Sequence, residues 1–453
     1  MTAAFPIHPR RDEALRLLGL AWPVMLTALN WTIMQATDVI VVGLVGTNEA
    51  AAFGASRSLT YVGMVVAFGW LSGVLVFVSR ADGARDLPAT GRILQHGLWL
   101  AAGLGAVVLG ALGLGAKPAL RLLGVAPELV EPARRVVVVT AFAYPLQLLS
   151  SAASFFLEGI SRPRRVMVVN LAVLPLNALL AWAWSGGHLG LPQAGAVGAA
   201  AATVVACLVN AVAMLWAAWS VPGGKAHGLR AREPLRAAMP GAWRLMVFGT
   251  VPAVASGLEL AGFSILIALS TKLGVAPTHA FQVVFAIHNV TFAIAFGLGS
   301  AAGVRVGNAV GEGRPEAARG RALLAAGMAA VAMLVFSLIL WAGARPVAAL
   351  FPADPAVHAL AAAMLPWWAG FIVFDGLQIV FLYTLRSLGD QVVAGVNSVV
   401  AYFLITGASG VALVHAGVGP MALVWASGAG MVAAAVLHGA RLWWISAPGH
   451  PRN

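Results

Sequence analysis

Three carboxylates, Asp38, Glu259 and Asp375, lie deep inside long apolar runs of this sequence. A charged carboxylate at the centre of a hydrocarbon layer costs about 3 kcal/mol on insertion scales, so each needs a function or a partner. Two chemistries suit an acid in such a place: taking up and releasing a proton, or coordinating a cation such as Na⁺. Asp38 closes a stripe of Thr27, Asn30, Met34 and Asp38 at helical spacing, and that face must meet protein or water rather than lipid. At about 1.5 Å per residue, Asp38 stands roughly 36 Å along its helix, in the outer half. The plain alternative is a carboxylate hydrogen-bonded for helix packing alone.

Glu259 follows Ser256 by about one turn and Pro252 by about two, and the proline ring frees backbone carbonyls beside it. Asp375 shares a face with Gln378 and precedes Arg386 by about three turns. If Glu259 and Asp375 meet, like-charge repulsion and desolvation drive the pair to hold a proton or coordinate a cation. A structural ion pair with Arg386 or Lys272 is the alternative. Gln282, His288 and Asn289 add polar groups to another apolar run, where His288 reads equally well as a proton relay or a packing group. Asn170 and Asn177, about two turns apart, are placed to complete a polar pocket with Asp38. Trp31, Trp70, Phe281, Phe285 and Phe292 are candidates for an aromatic cleft that attracts organic cations.

The elements that must carry these residues follow from composition. Of the 453 residues 60% are hydrophobic and only 10% charged, against about a quarter charged in soluble domains, so a water-soluble fold is excluded. The segment from Met1 to Leu17 is polar and Arg-bearing, unlike a cleaved signal, and the first long apolar run is expected to stay as a spanning helix. One cysteine, Cys207, excludes a disulfide framework and a cysteine-based metal cluster. The three lysines beside an excess of Ala, Gly and Arg read as a GC-rich bacterial coding sequence.

A membrane-spanning helix needs about 20 apolar residues, and the polar and Gly/Pro punctuation leaves twelve such runs. They cover about 14–43, 50–79, 92–115, 132–157, 165–186, 193–220, 243–271, 279–308, 319–343, 357–386, 391–414 and 419–446. The net charge of +12 is concentrated in one set of loops: Arg10 and Arg11; Arg80, Arg85 and Arg92; Arg162, Arg164 and Arg165; Lys225, Arg230, Arg232 and Arg236; Arg305, Arg314, Arg319 and Arg321. Positive loops stay inside, so these clusters set topology rather than bind nucleic acid, and both termini are expected in the cytoplasm. Lys117, Arg121, Arg134 and Arg135 are a local exception.

The stretch Phe68-Gly69-Trp70-Leu71-Ser72 to Ala81-Asp82-Gly83 is echoed by Phe296-Gly297-Leu298-Gly299-Ser300 to Ala309-Val310-Gly311, and Pro23 by Pro252. Asn170 stands as far beyond Gly159 as Asn397 does beyond Arg386. The expectation is therefore an all-α integral membrane protein of twelve transmembrane helices in two pseudo-symmetric six-helix bundles, a parallel repeat. The bundles are placed at 1–220 and 243–453, with a cytoplasmic linker at 221–242. Such duplication suits alternating access, with substrate bound near the midplane. No zinc-binding His pair, no activated Ser and no phosphate-cradling Gly loop is present, so an enzyme is not expected.

In these residues the chain resembles the multidrug and toxic compound extrusion (MATE) transporters, and within them the NorM-type branch. The resemblance runs from Trp22-Pro23 and Asp38-Val39-Ile40-Val41-Val42-Gly43, through Gly69 to Gly83 and its copy, to Leu157-Glu158-Gly159, Pro163 and Asn177, and Gly195-Ala196-Val197-Gly198 with Ala202-Thr203. It implies cation coupling through Asp38, Glu259 and Asp375, with Glu259 and Asp375 as metal ligands only if sodium is the coupling ion. Asn30, Asn177, Gln282, His288, Asn289 and Gln378 are the candidate substrate or polar-pocket residues. Two positions depart from the family pattern: some sodium-linked relatives place a Tyr one turn before the tenth-span acid, where this chain has Phe371, and some relatives carry a second acid four residues after the fifth-span Asn, where it has Ala181. Both favour protons. The implied activity is proton- or sodium-coupled antiport of small cationic or amphipathic drugs and toxic compounds, by a monomer in the bacterial inner membrane. Its partners are that substrate and the lipid bilayer, with no nucleic acid and no cofactor beyond the transported H⁺ or Na⁺. A flippase for lipid-linked precursors, which shares the two-bundle plan, is the alternative.

Overall fold

The computed structural model describes residues 9–229 and 233–446; Arg230 and Arg232 of the connector cluster lie outside the described residues. Those residues hold helices and no strand, as expected of a chain whose backbone polar groups must be satisfied inside lipid. The helices are α1 (Pro9–Val45), α2 (Thr47–Gly83), α3 (Leu87–Leu122), α4 (Pro127–Ala141), α5 (Ala143–Gly159), α6 (Pro163–Gly186), α7 (Gly195–Trp219) and α8 (Leu235–Leu273). They continue with α9 (Val275–Gly311), α10 (Pro315–Ala342), α11 (Ala344–Ala348), α12 (Pro355–Leu388), α13 (Gln391–Ser398), α14 (Gly407–His415) and α15 (Met421–Ile445).

Twelve of the described helical stretches are long and apolar enough to span a membrane. They coincide with the twelve runs read from the sequence, with several helices extending further at both ends. The fourth span is α4 and α5 in series, and the eleventh is α13 and α14 joined by a π-helical segment, Val399–Thr406. Helix ends follow local chemistry. Asp86 caps α3 by accepting from Ala89 N at 3.0 Å, and α6 and α12 stop at Gly187 and Gly389, whose φ of 75° and 90° suit glycine.

The chain divides into two compact units. One is Leu29–Ala253, called here the Asp38 unit; the other is Met1–Ala28 with Val254–Asn453, the Asp375 unit. The Asp38 unit is built on Leu71, Val74, Leu94, Leu148, Phe156 and Leu157, all essentially buried. The connector docks on this unit: His227 Nδ1 lies 2.7 Å from Thr90 Oγ1, and His96 Nε2 lies 3.0 Å from Glu233 Oε2. Burial, partly offset by Asp82 and reinforced by Arg162, holds the His227 imidazole below its usual pKa.

The Asp375 unit is centred on Leu365, Trp368, Ile372 and Tyr402. Its cytoplasmic-type basic residues are not all in loops. Arg305 is inside α9 and only 9% exposed, where it grips Glu13 of α1 with two hydrogen bonds of 2.6 and 2.7 Å. Arg321 of α10 lies 3.8 Å from the same carboxylate. Placing Arg305 in a loop, as charge patterning suggests, is thus corrected: a bidentate acid partner allows the guanidinium inside a helix bundle.

Candidate ion-coupling sites

Asp38 is 4% exposed on α1. Asn177 of α6 donates from Nδ2 to its Oδ1 at 2.8 Å, and Thr203 of α7 donates to Oδ2 at 3.4 Å. The expected pairing of Asp38 with Asn177 is therefore direct. Around it runs a second set of amides: Asn30 donates to Asn170 O at 3.2 Å, Asn210 of α7 donates to Asn170 Oδ1 at 3.1 Å, and Ser150 of α5 donates to Asn210 Oδ1. Arg57 of α2, tied to Gln35 O at 3.2 Å, acts on Asp38 through its charge without forming an ion pair. The buried acceptors Asn30 Oδ1 and Asn177 Oδ1 have no hydrogen-bond donor among the described residues.

Asp375 of α12 is 3% exposed and is surrounded by groups that can donate. Gln378 Nε2 donates to Oδ1 at 3.3 Å, Tyr402 OH reaches the same oxygen at 3.5 Å, and His288 Nδ1 of α9 lies 3.9 Å from Oδ2. Tyr402 belongs to the π-helical segment of the eleventh span. Its approach depends on Gly262 of α8, where a Cβ would stand 2.1 Å from Tyr402 O. Of the expected aromatic residues, Phe285 and Phe292 join Trp368 around the His288 ring at 5.5, 5.8 and 5.4 Å between centroids, whereas Trp31 packs on Phe68 and Trp70 donates to Thr250 Oγ1 in the Asp38 unit. Phe281 is 1% exposed and packs on Phe285 and Trp368.

Glu259 lies on α8 in the same unit, partly buried, and its charge acts on that of Asp375. Neither acid forms an ion pair with Arg386 or Lys272 among the described residues. Gln282 is exposed and Asn289 half-buried, about a quarter turn round α9 from His288. Phe371 points to α15, against Trp425 at 5.9 Å, so the hydroxyl near Asp375 comes from Tyr402 and not from the preceding turn. No group of three or more His, Cys, Asp or Glu suited to a metal ion occurs among the described residues. Beside Asp375, the oxygens placed to meet a cation include its own carboxylate, the Tyr402 hydroxyl and Gln378 Oε1, which has no partner among the described residues.

Sequence reasoning passed over Tyr402, Asn210, Ser150 and Arg57, and met Thr203 only as part of a motif. Thr203, Cys207 and Asn210 repeat at helical spacing in an apolar run, a signal as legible as the Asp38 stripe. Tyr402 gave no such signal, because its position depends on the π segment.

Twelve spans, two units and a buried carboxylate site in each define a polytopic membrane transporter rather than an enzyme. The comparisons give the family: MatE matches residues 23–183 and again 252–409, once in each half of the repeat. The chain belongs to the MatE family and is a MATE transporter of the NorM type. It is 30% identical over 443 residues to multidrug resistance protein NorM of Burkholderia vietnamiensis, covering 96% of this chain and 95% of that one. It is 29% identical over 399 residues to multidrug resistance protein PmpM of Pseudomonas aeruginosa, covering 87% and 82%. In fold it is similar to the eukaryotic MATE transporter AtDTX14, with a TM-score of 0.86 at 20% identity over 95% of this chain and 96% of that one. A MOP superfamily transporter from Pyrococcus furiosus also has a TM-score of 0.86, at 19% identity over 98% and 99%.

Proposed function

We propose that this chain is a cation-coupled antiporter that exports small cationic or amphipathic drugs by alternating access. One observation carries the reading. Each unit holds a buried carboxylate, Asp38 or Asp375, set among neutral donors and, among the described residues, free of a Lys or Arg ion pair. A guanidinium fixed against such an acid by two hydrogen bonds, as Arg305 is against Glu13, would hold it as the carboxylate. Neutral donors leave it able to bind and release a cation as the surroundings change. Glu259 acts with Asp375, and Asn177, Gln378 and His288 position or shield the acids. Asn30, Gln282 and Asn289 are the remaining polar-pocket candidates.

In this reading the coupling ion is a proton in preference to sodium, because Phe371 and Ala181 remove oxygen ligands and both acids are ringed by hydrogen donors. The transported ion is the only cofactor. The repeats are 1–220 and 243–453 with a connector at 221–242, and the protein works as a monomer in the bacterial inner membrane with both termini in the cytoplasm. The names of the NorM and PmpM relatives support drugs as cargo.

The test is ethidium movement in proteoliposomes under an imposed pH or sodium gradient. Wild-type transport is expected under the pH gradient and is expected to fall by about a hundredfold in Asp38→Asn, Glu259→Gln and Asp375→Asn. Transport of the dye that ignores both gradients, or variants as active as wild type, would sink the antiport reading and favour the flippase.

A further inference from the structure

Arg386 is the charged group that the reading above leaves without a task. It sits on α12 about three turns beyond Asp375 and is 9% exposed. Among the described residues its guanidinium makes no ion pair and no hydrogen bond, and its contact is the Tyr383 ring, 5.6 Å from the centroid. A guanidinium buried on those terms is rare, because one aromatic face repays little of its lost hydration. Glu259 is its opposite number. It too is without a hydrogen bond or ion pair among the described residues, and each charge acts on the other.

Gly262, about one turn beyond Glu259 on α8, packs against Tyr402, whose hydroxyl reaches Asp375 of α12, so Glu259 and the helix of Arg386 border one pocket. Side chains in an α-helix lean toward its N-terminus, and α8 and α12, an odd and an even span, run in opposite directions. Arg386 leans back along α12 toward the level of Asp375, as its seat over Tyr383 shows. Glu259 leans back along α8 toward the end where Arg386 lies. The other charged or titratable groups facing this region are Asp375 on α12, His288 on α9, Tyr402 in the π segment and His438 on α15.

We propose that Arg386 is the resident counter-cation of Glu259. When the coupling cation leaves Glu259, the guanidinium leaves Tyr383 and pairs with the bare carboxylate. An arriving cation displaces it again. The site thus alternates between two neutralised forms, one holding the transported cation and one holding Arg386, and Glu259 is never left as an unpaired charge in the bilayer. This inference rests on the antiport reading and deepens it, since it says how the cation is expelled.

The experiment compares Arg386→Met and Arg386→Lys with wild type in proteoliposomes, after thermal unfolding has shown that each variant is folded. Without its competitor the coupling cation binds more tightly. In Arg386→Met the half-saturating cation concentration is expected to fall by about tenfold or more, and the maximal rate falls with it because release slows. Arg386→Lys, which keeps the charge, is expected within about threefold of wild type. In a Glu259→Gln background Arg386→Met is expected to change nothing further. Should Arg386→Met fail to fold, the exchanged pair Glu259→Arg with Arg386→Glu is read instead. It is expected to unfold at a higher temperature than either single reversal, and no recovery overturns the proposal. Wild-type half-saturation and rate in Arg386→Met, or an equal effect with Glu259 already replaced, also overturns it. A wild type that ignores every cation gradient defeats the antiport reading itself, whereas a responsive wild type with an unaffected Arg386→Met defeats this inference alone.

Discussion

Gly262 offers the sharpest test of how the Asp375 site is assembled. A methyl group there would stand 2.1 Å from Tyr402 O, 2.9 Å from Tyr402 C and 3.3 Å from Phe403 Cα. Ordinary contact needs about 3.4 Å, so the π segment must retreat by roughly 1 Å, and overpacking of that size costs about 1–3 kcal/mol. Tyr402 OH is already 3.5 Å from Asp375 Oδ1, at the outer limit of a hydrogen bond, so such a retreat breaks it. A hydrogen bond to a charged group is worth about 1.5 kcal/mol at the weak end, or roughly tenfold in an equilibrium constant. Gly262→Ala is therefore expected to lower the unfolding temperature and to reduce cation-driven dye efflux by about tenfold, the same loss as Tyr402→Phe. The double variant should lose little more than either single one, because both remove one contact. If Gly262→Ala melts and transports like wild type, or if the two losses multiply, Gly262 does not act through Tyr402.

Three further outcomes follow from the geometry. Asn177→Ala removes a 2.8 Å donor from Asp38, whereas Thr203→Val removes one at 3.4 Å; dye efflux is expected to fall by about tenfold in the first and by less in the second. Glu13→Gln leaves Arg305 without its bidentate partner, a change that costs about 3–5 kcal/mol at a buried pair, and thermal unfolding in detergent reads it directly. Burial lowers the His227 pKa in the folded protein, so the unfolded chain takes up the proton first. Docking of the connector is fully stable above about pH 6.5 and weakens as pH falls through and below that value. A lower protection factor for the amides of 221–229 at pH 5.5 than at pH 7.5, with the pH dependence of intrinsic exchange divided out, is the expected signature, smaller in His227→Asn; equal protection factors at both values refute it.

The twelve spans and the repeat were legible because lipid imposes a length and forbids unpaired charge, and both constraints are written in composition. Asp38 and Asn177 were legible as partners because two polar stripes in apolar helices have few places to go except toward each other. Other residues were hidden by mechanisms that leave little trace in one sequence. Arg305 looked like a loop residue until Glu13, far away in the chain, was seen to neutralise it. The aromatic residues of α9 looked like a cleft lining because helical periodicity shows a shared face without showing what covers it, and here Trp368 and Phe263 close over it. Tyr402 was hidden because a change in helical winding moves a side chain round the axis, and winding is not encoded in residue type.

That winding has a consequence for how the site can vary. Along Val399–Thr406 the backbone hydrogen bonds span five residues rather than four, so the stretch holds about one residue more than an α-helix of equal rise. Deleting one residue there would leave Gln391 and His415 near their present levels yet turn Tyr402 by about 100° away from Asp375. In the eleventh span, chain length decides in its own right whether Tyr402 reaches Asp375, and a gap of one position between two aligned transporters would there be a change of chemistry.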